Sequence, residues 1–263
     1  MSFDRSRSVA SVLYEVASSS STNTELSARA DREGMGDLTV MLTRYQSSGR
    51  GRLGRSWTAP PGAAVAASVL LRPRMPDGSA VPPERLGWLP VIAGVSMAAA
   101  VRLALPGRTV GFKWPNDVLV DGRKICGILA ELLPAGTGVV VGAGVNTRMS
   151  EEELPVPTAT SLAVEGAEVT DALEDAVLAA YLEGLRDRVA RYLAAGADAD
   201  AAGLRAEARA ACLTLGRPVS IELPGGEALQ ASAVDLDADG RLVVADRDGR
   251  ARSVAAGDVT HVR

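Results

Sequence analysis

The sequence is poor in the side chains on which many catalytic and metal sites depend. Its 263 residues contain a single histidine, His261, and two widely separated cysteines, Cys126 and Cys212. A Ser-His-Asp triad, a Cys-His pair or a histidine-based metal site therefore has almost no material. The absence of Cys-x-x-Cys spacing excludes a zinc ribbon, and this cysteine usage is typical of reduced thiols, so we expect a cytoplasmic location.

Aromatic residues and long apolar runs are also scarce. Aromatics make up 3% of the chain against 47% hydrophobic residues, so the core must be built mainly from Ala, Val and Leu. The first residues lack the apolar core of a signal peptide, and the sequence predicts no membrane partner. The formal net charge of −4 argues against broad coating of nucleic acid, so no DNA partner is expected.

Lysine is the scarcest cation. Of the 28 basic residues 26 are arginine, and the two lysines, Lys113 and Lys124, lie in one segment. A compact ammonium and a planar guanidinium are not interchangeable, so the pair indicates sites that need a point charge. Chance clustering is the alternative interpretation.

Hydrophobic patterning divides the chain into two parts. Short β-rich runs alternate with helical ones between about residues 10 and 160, which predicts an α/β or α+β layer structure. We expect strands at 38–43, 66–71, 111–120, 123–132 and 139–141, a helix at 84–105, and a long helix that Thr170 caps. Closely spaced turns near the end predict four or five strands in a small β-barrel or sandwich. The predicted domains are residues 1–212 and 213–263.

The segment 46–57, QSSGRGRLGRSW, is rich in arginine and glycine. Arg50, Arg52 and Arg55 suit bidentate binding of phosphate or carboxylate, and the interspersed glycines predict a loop that is mobile when empty and orders over an anion. The region 38–76 contains six arginines and no acid. An exposed RNA-binding segment or a solvated turn is the alternative.

Residues 113–124 place both lysines beside an Asp121-Gly122 hairpin turn. A two-residue turn pairs Leu119 with Lys124 and Asp117 with Cys126, and it puts all four side chains on one face. A carboxylate and an ammonium held in this way could polarise a reacting carboxylate and later accept a proton. An ordinary cross-strand ion pair is the alternative.

Two shorter motifs carry weaker information. The strand at 139–141 runs into Gly142-x-Gly144 and then Asn146, which could contact phosphate or metal; the third glycine of a dinucleotide fingerprint is missing, and a tight turn is equally compatible. Thr22 with Glu25 fits a capping box, and Ser21 and Asn23 beside that helix start could bind a urea-like or carboxamide group.

Taken together and in this order, the motifs resemble those of biotin protein ligases. The resemblance covers Ser21–Asn23, GRGRxGRxW at 49–57, KWPND at 113–117, GRKICGILAEL at 122–132, and GxGxN at 142–146. It implies a catalytic domain similar to class II aminoacyl-tRNA synthetases, with a mixed sheet, followed by a small SH3-like barrel. Ser48 and Cys126 stand where alanine is usual, which removes no proposed ligand.

The resemblance also implies roles for named residues. Catalysis would fall to Lys124, Arg50 and Asp117. The implied biotin contacts are Ser21, Thr22, Asn23, Gln46, Gly49, Arg50, Gly51, Arg52, Lys124 and Gly127. The implied ATP contacts are Arg50, Arg52, Arg55, Trp57, Lys113, Asn116 and Asn146. Mg²⁺ would be held mainly through the phosphates, with no metal site made by protein ligands alone.

The implied function is ATP-dependent activation of biotin to biotinoyl-5′-AMP and transfer to a lysine of a biotin carboxyl carrier protein. The expected state is a monomer or a weak homodimer. We expect no repressor-type DNA-binding domain, so operator binding is not expected. Two alternatives stay open: a lipoate or octanoate ligase of the same fold, which the arginine-rich segment disfavours, and a non-enzymatic RNA-binding module.

Overall fold

The computed structural model describes residues 3–222, 228–254 and 258–261. The helices are α1 (Asp4–Val9), α2 (Thr22–Ala30), α3 (Trp88–Ala104), α4 (Asp171–Ala194) and α5 (Leu204–Ala211), with 3-10 turns at Arg52–Gly54 and Pro83–Gly87. The strands are β1 (Val12–Glu15), β2 (Thr39–Thr43), β3 (Gly49–Arg50), β4 (Ser56–Trp57), β5 (Ala64–Leu71), β6 (Val110–Lys113), β7 (Asp117–Val120), β8 (Arg123–Leu132), β9 (Val139–Asn146), β10 (Pro218–Glu222), β11 (Ala228–Leu236), β12 (Leu242–Ala245), β13 (Ala251–Val254) and β14 (Asp258–His261).

A seven-stranded mixed sheet forms the centre of the fold, in the order β1-β2-β5-β9-β8-β7-β6. Only its β1–β2 pair is parallel. Strand β5, third in this order, is apolar except for Ser68 and is buried along its whole length, as a nearly continuous apolar run predicts. The predicted mixed α/β architecture is confirmed.

Helices cover both faces of this sheet. Along β2, Val40 and Leu42 join the large core that includes α3 and α4, whereas Met41 joins a smaller core with Leu26 of α2. Side chains of a strand alternate between faces, so α2 lies opposite α3 and α4. Its N-terminus therefore reaches the side of the sheet that α3 and α4 leave open.

The long apolar helix is part of the core. The predicted helix at 84–105 is confirmed as the 3-10 turn at Pro83–Gly87 followed by α3. By length and composition, Pro83–Ala104 is one helical stretch in the described residues that could cross a membrane, but 67% of its most apolar window is buried inside the protein. A core helix passes the same test, so this is weak evidence for a membrane span.

A second, five-stranded antiparallel sheet follows, in the order β13-β12-β11-β10-β14. Its strand number agrees with the prediction, although the predicted turn at Pro224–Gly226 lies outside the described residues. Two tryptophans of the first part hold this sheet: Trp88 Nε1 donates to the Ala238 carbonyl (2.8 Å) and Trp114 Nε1 donates to the Gly240 carbonyl (3.0 Å). The β11–β12 turn therefore packs directly on the start of α3 and on the segment after β6.

Two predicted elements are wrong in their extent. The single strand expected at 111–120 is two antiparallel strands, β6 and β7, separated by a turn in which Trp114 is buried. The strand expected at 139–141 continues as β9 to Asn146, so the Gly142-x-Gly144 segment is extended and not a tight turn. Hydrogen bonding to β5 and β8 on both sides keeps β9 extended despite its two glycines.

A buried ionic cluster fixes the start of α4, which Thr170 caps as predicted. Glu174 is buried and accepts from Arg44 Nε (3.0 Å), Arg148 Nε (2.9 Å) and Thr147 Oγ1 (2.6 Å). Burial raises the pKa of this carboxyl, but the hydrogen bonds from Arg148, Thr147 and Arg44 outweigh it, so the pKa lies below its ordinary value.

We expect Glu174→Gln to lower the free energy of unfolding by about 3 kcal/mol at pH 7, because two arginines lose their buried partner. A carboxyl with a lowered pKa stabilises the fold above the ordinary value of 4.5, and this stabilisation is lost as pH falls through the folded-state pKa. Urea unfolding at pH 7 and at lower pH therefore gives a difference between wild type and variant that shrinks on acidification. Glu183→Gln, on an exposed part of the same helix, is the matched control; an equal loss there would contradict the account.

Candidate active site

A cleft open to solvent, of about 790 Å³, lies between the start of α2, the β3–β4 hairpin and the open face of β8 and β9. It brings together most of the residues singled out from the sequence. These are Ser21, Thr22, Asn23, Gln46, Arg50, Gly51, Arg52, Arg55, Trp57, Asn116, Asp117, Lys124 and Gly127. Their placement in one cleft is observed, and their individual roles stay predictions.

Three predicted site residues do not line the cleft. Gly49 begins β3 against the carbonyl and side chain of Trp57, where a Cβ atom would collide. Lys113 is partly buried opposite Asp117 in the β6–β7 pair; burial lowers its pKa and Asp117 opposes that shift. Asn146 is buried, and its amide Nδ2 donates to the Thr160 carbonyl (2.9 Å).

The β7–β8 hairpin carries a bulge that the sequence prediction lacked. Leu119 pairs with Lys124 as expected, but Val118 pairs with Cys126, so the predicted Asp117–Cys126 pair is wrong. One extra residue on β8 shifts the register, as in other bulges. Cys126 consequently faces the core, not the face of Lys124, and burial raises the pKa of its thiol.

The same bulge places Gly127 opposite Asp117, beside the lysine ammonium. Lys124 Nζ lies 2.7 Å from Asp117 Oδ1 and 5.9 Å from the centre of the Trp57 ring. A Cβ at Gly127 would lie 3.3 Å from Lys124 Nζ and 3.2 Å from Trp57 Cζ3. The predicted Asp117–Lys124 contact is confirmed, and it forms through the bulge.

The arginine-rich segment folds as the short β3–β4 hairpin at the edge of the cleft. Arg50 Nη2 lies 3.0 Å from Glu131 Oε1, and Arg52 Nη1 donates to Asn116 Oδ1 (3.2 Å). Arg52 is partly buried; burial lowers the pKa of its guanidinium, and Asp117 opposes the shift. Three arginines and Lys124 thus face one cleft, which suits multiply charged anions. Mobility of the empty hairpin stays a prediction.

Not all of the positive region found in the sequence serves this cleft. Arg44 belongs to the Glu174 cluster, and Arg72 lies 3.0 Å from Asp31 Oδ1 and does not line the cleft. Charge counting along the chain could not separate these two arginines from Arg50, Arg52 and Arg55.

The other end of the cleft is polar and uncharged. The capping box predicted between Thr22 and Glu25 is wrong, because α2 begins one residue earlier, with Ser21 as its N-cap, and Glu25 instead accepts from Ser19 Oγ (2.8 Å). Thr22 N–H donates to Gln46 Oε1 (2.8 Å). Hydroxyl and amide groups of this kind suit a small neutral ring that has both donors and acceptors.

The sequence analysis singled out the Gly142-x-Gly144 motif but assigned neither glycine to the site. Gly142 and Gly144 line the cleft because β9 is extended: a Cβ at Gly142 would collide with the Asn23 amide, and one at Gly144 would lie 2.6 Å from Trp57 Cε2. Ser68 and Glu131, which contact Asn23, were also missed. Period-two alternation along β5, β8 and β9 is the pattern that could have found them.

The described residues contain no group of three or more His, Cys, Asp or Glu side chains that could hold a metal ion. Asp117 and Asn116 line the cleft next to its cationic side chains. Each offers an oxygen atom that could bind a metal ion, a carboxylate oxygen and an amide oxygen respectively. Both already contact cations, Lys124 and Arg52 respectively.

Two family models match the sequence. The Biotin/lipoate A/B protein ligase family matches residues 15–146, and the Biotin protein ligase C terminal domain matches residues 214–262. A biotin--[acetyl-CoA-carboxylase] ligase of Mycobacterium tuberculosis is 39% identical over 250 residues, which cover 94% of this chain and 88% of that protein. The chain belongs to the biotin protein ligase family.

Other members of the family are similar over shorter regions or in fold. The bifunctional ligase/repressor BirA of Escherichia coli is 36% identical over 137 residues, 51% of this chain and 40% of that protein. The biotin protein ligase of Aquifex aeolicus, solved in complex with biotin and ATP, superposes with a TM-score of 0.72 at 23% identity over 96% of this chain and 99% of that one. At that identity the superposition shows a shared fold.

Proposed function

We propose that this biotin protein ligase activates biotin with ATP to biotinoyl-5′-AMP and transfers the biotinoyl group to a lysine of a biotin carboxyl carrier protein. The observation that carries the proposal is the division of one cleft into a neutral polar end at Ser21–Asn23 and a cationic end at Arg50, Arg52, Arg55 and Lys124. The names of the relatives support the same activity.

In the first step a biotin carboxylate oxygen attacks the α-phosphorus of ATP. An acyl phosphate bond forms and pyrophosphate leaves, so two anions must first be brought together. Lys124, fixed by Asp117 at 2.7 Å, and the arginines of the hairpin supply the positive field that offsets the repulsion. We assign five residues to the nucleotide: Arg55, Trp57, Lys113, Asn116 and Asn146. Of these, Lys113 and Asn146 do not line the cleft themselves.

Mg²⁺ fits this cleft as an ion held mainly by phosphate oxygens. One carboxylate and one amide oxygen do not make a protein metal site, but Mg²⁺ commonly binds few protein groups and several phosphate oxygens. When bound, it would supply charge neutralisation of the ATP phosphates. Asp117 and Asn116 would be its protein contacts.

In the second step the acceptor lysine amine attacks the acyl carbonyl carbon. The amide C–N bond forms, the C–O bond to phosphate breaks, AMP leaves, and the amine gives up a proton. Asp117 is a carboxylate that lines the cleft beside Lys124, and we assign it as the group that accepts this proton. The hairpin would meanwhile exclude water from the anhydride.

The fold type, the domain boundary, the cellular location and the oligomeric state belong to the same proposal. The seven-stranded domain would be of the class II aminoacyl-tRNA synthetase type and the terminal sheet an SH3-like barrel, with the boundary between residues 212 and 213. The protein would act in the cytoplasm as a monomer or weak homodimer and would bind no DNA. The match to the C-terminal family model from residue 214 supports the boundary.

A lipoate or octanoate ligase is the second candidate, since the matching family model includes lipoate ligases as well as biotin ligases. The neutral polar end of the cleft favours biotin, because Ser, Thr, Asn and Gln side chains there could bind a ureido ring. An aliphatic or dithiolane chain would leave those groups unpaired.

Biotin-dependent exchange between ATP and labelled pyrophosphate tests the proposal. We expect exchange that requires biotin and Mg²⁺ and that octanoate does not support. Protein that shows no biotin-dependent exchange but retains RNA on a filter would instead be the binding module considered from the sequence.

The Arg50→Gly variant tests the role of the hairpin. We expect it to form biotinoyl-AMP but to release it into solution, because the guanidinium that would contact the adenylate is gone. Labelling of lysines on a bystander protein measures the release, and Arg186→Gly, an exposed arginine of α4 whose ion pair is local, is the control. Equal bystander labelling by wild type and Arg50→Gly would show that the hairpin does not retain the intermediate.

A further inference from the structure

Glu131 of β8 joins the two ends of the cleft, and none of the roles assigned so far uses it. Its Oε2 accepts from Asn23 Nδ2 (2.9 Å), and its Oε1 lies 3.0 Å from Arg50 Nη2. Asn23 Nδ2 also donates to the Leu129 carbonyl (3.1 Å). Asn23 itself is buried against Gly142, which has no Cβ to displace it.

The chemistry of these neighbours fixes the orientation of the Asn23 amide. An ionised carboxylate and a backbone carbonyl only accept hydrogen bonds, so the NH₂ group must face Glu131 and Leu129. The amide oxygen Oδ1 must then face Ser68, whose Oγ lies 2.6 Å away. The charged carboxylate is the stronger of the two acceptors.

This orientation sets the direction of the neighbouring hydrogen bonds. Ser68 has one hydroxyl proton, which goes to Asn23 Oδ1. Ser68 Oγ also lies 2.7 Å from Thr22 Oγ1, and the Thr22 hydroxyl donates to Gln46 Oε1 (3.1 Å). Gln46 Oε1 receives the Thr22 backbone N–H at 2.8 Å. The Glu131 carboxylate therefore fixes Asn23 Oδ1 as the acceptor at this end of the cleft.

We propose that Glu131 is a positioning residue for recognition of the cyclic urea: it holds the Asn23 amide so that Oδ1 is an acceptor for a ureido N–H. The inference rests on the proposed function and specifies how that substrate is recognised. Glu131 acts through Asn23 and not through Arg50, because the Arg50 side chain is 53% exposed and ion pairs of exposed groups contribute little.

Calorimetric titration with biotin alone tests this inference without requiring catalysis. Glutamine can donate or accept, so Glu131→Gln lets the Asn23 amide turn over, and we expect the dissociation constant to rise about fivefold. In the exchange assay the KM for biotin should rise similarly while kcat stays near the wild-type value. Glu152→Gln, at an exposed position outside the cleft, is the control, and thermal melting checks that each variant is folded.

A double-mutant cycle separates positioning from a general structural effect. Asn23→Asp sets two carboxylates against each other and should weaken biotin binding more than Glu131→Gln does. Combining both changes restores a donor–acceptor pair with its direction reversed. We expect the double variant to bind biotin at least about fivefold more tightly than Asn23→Asp alone.

The outcomes distinguish this inference from the proposed function. Wild-type biotin affinity in Glu131→Gln, or a double variant no better than Asn23→Asp, would overturn the role of Glu131 and leave the ligase activity standing. A protein that binds biotin with the predicted coupling but exchanges no pyrophosphate would support Glu131 and contradict the ligase. A wild-type protein that binds no biotin would overturn both.

Discussion

Lys124→Ala abolishes most of the adenylate formation in our account, with a loss of about 10²- to 10³-fold in biotin-dependent pyrophosphate exchange. The Lys124 ammonium is held by Asp117 at 2.7 Å in the cleft, where the carboxylate and the α-phosphate meet in the proposed reaction. Without the ammonium, the carboxylate and the α-phosphate lose the fixed positive charge that offsets their mutual repulsion. The measurement is the rate of biotin-dependent exchange between ATP and labelled pyrophosphate at saturating ATP.

The conservative variant Lys124→Arg should also be strongly impaired. A guanidinium is larger and planar, and the ammonium already lies close to both Gly127 and the Trp57 ring. Lys124 is 36% exposed, but its partner oxygen Asp117 Oδ1 is buried, so thermal melting must show that each Lys124 variant is folded. Full activity of Lys124→Arg would contradict the interpretation that the scarce lysines mark sites for a compact charge.

Gly144→Val should weaken binding of both substrates while the protein stays folded. β9 is extended, so the backbone tolerates valine, but its Cβ would lie 2.6 Å from Trp57 Cε2 and would drive the ring out of the cleft wall. We expect affinity for biotin and for ATP to fall at least about tenfold, the equivalent of 1.4 kcal/mol. Calorimetric titration measures both.

Gly36→Val is the matched control for this substitution, because nothing lies within 4 Å of a Cβ at Gly36. It should bind biotin and ATP like wild type. Unchanged affinities in Gly144→Val would mean that Trp57 does not form the wall of the substrate site.

Local sequence patterns predict the fold better than they predict the contacts of the site. The mostly apolar β5 and the capped helix α4 could be predicted from composition and spacing, because burial and capping are decided within each element. The bulge in β8 could not, since nothing in residues 123–127 distinguishes a paired residue from an extra one. That one residue decides whether Cys126 or Gly127 lies opposite Asp117.

Long-range partners explain what else the sequence left out. Glu131 contacts Asn23 across 108 positions of the chain, and only the pairing of β8 beside β9 brings it near α2. The motif residues themselves were found because each motif is local, whereas the hydrogen bonds that orient them come from other elements. Arg44 shows the converse, because its charge is used in the Glu174 cluster and not in the cleft.

The central claim is that one cleft activates biotin and passes it to a protein lysine. Its most direct test is intact-mass measurement of a biotin carboxyl carrier domain incubated with this protein, MgATP and biotin, or with octanoate or lipoate in place of biotin. The account predicts addition of one biotinoyl group at one lysine, dependent on both ATP and biotin. A carrier domain that gains no biotin, or that gains octanoate or lipoate instead, would contradict it.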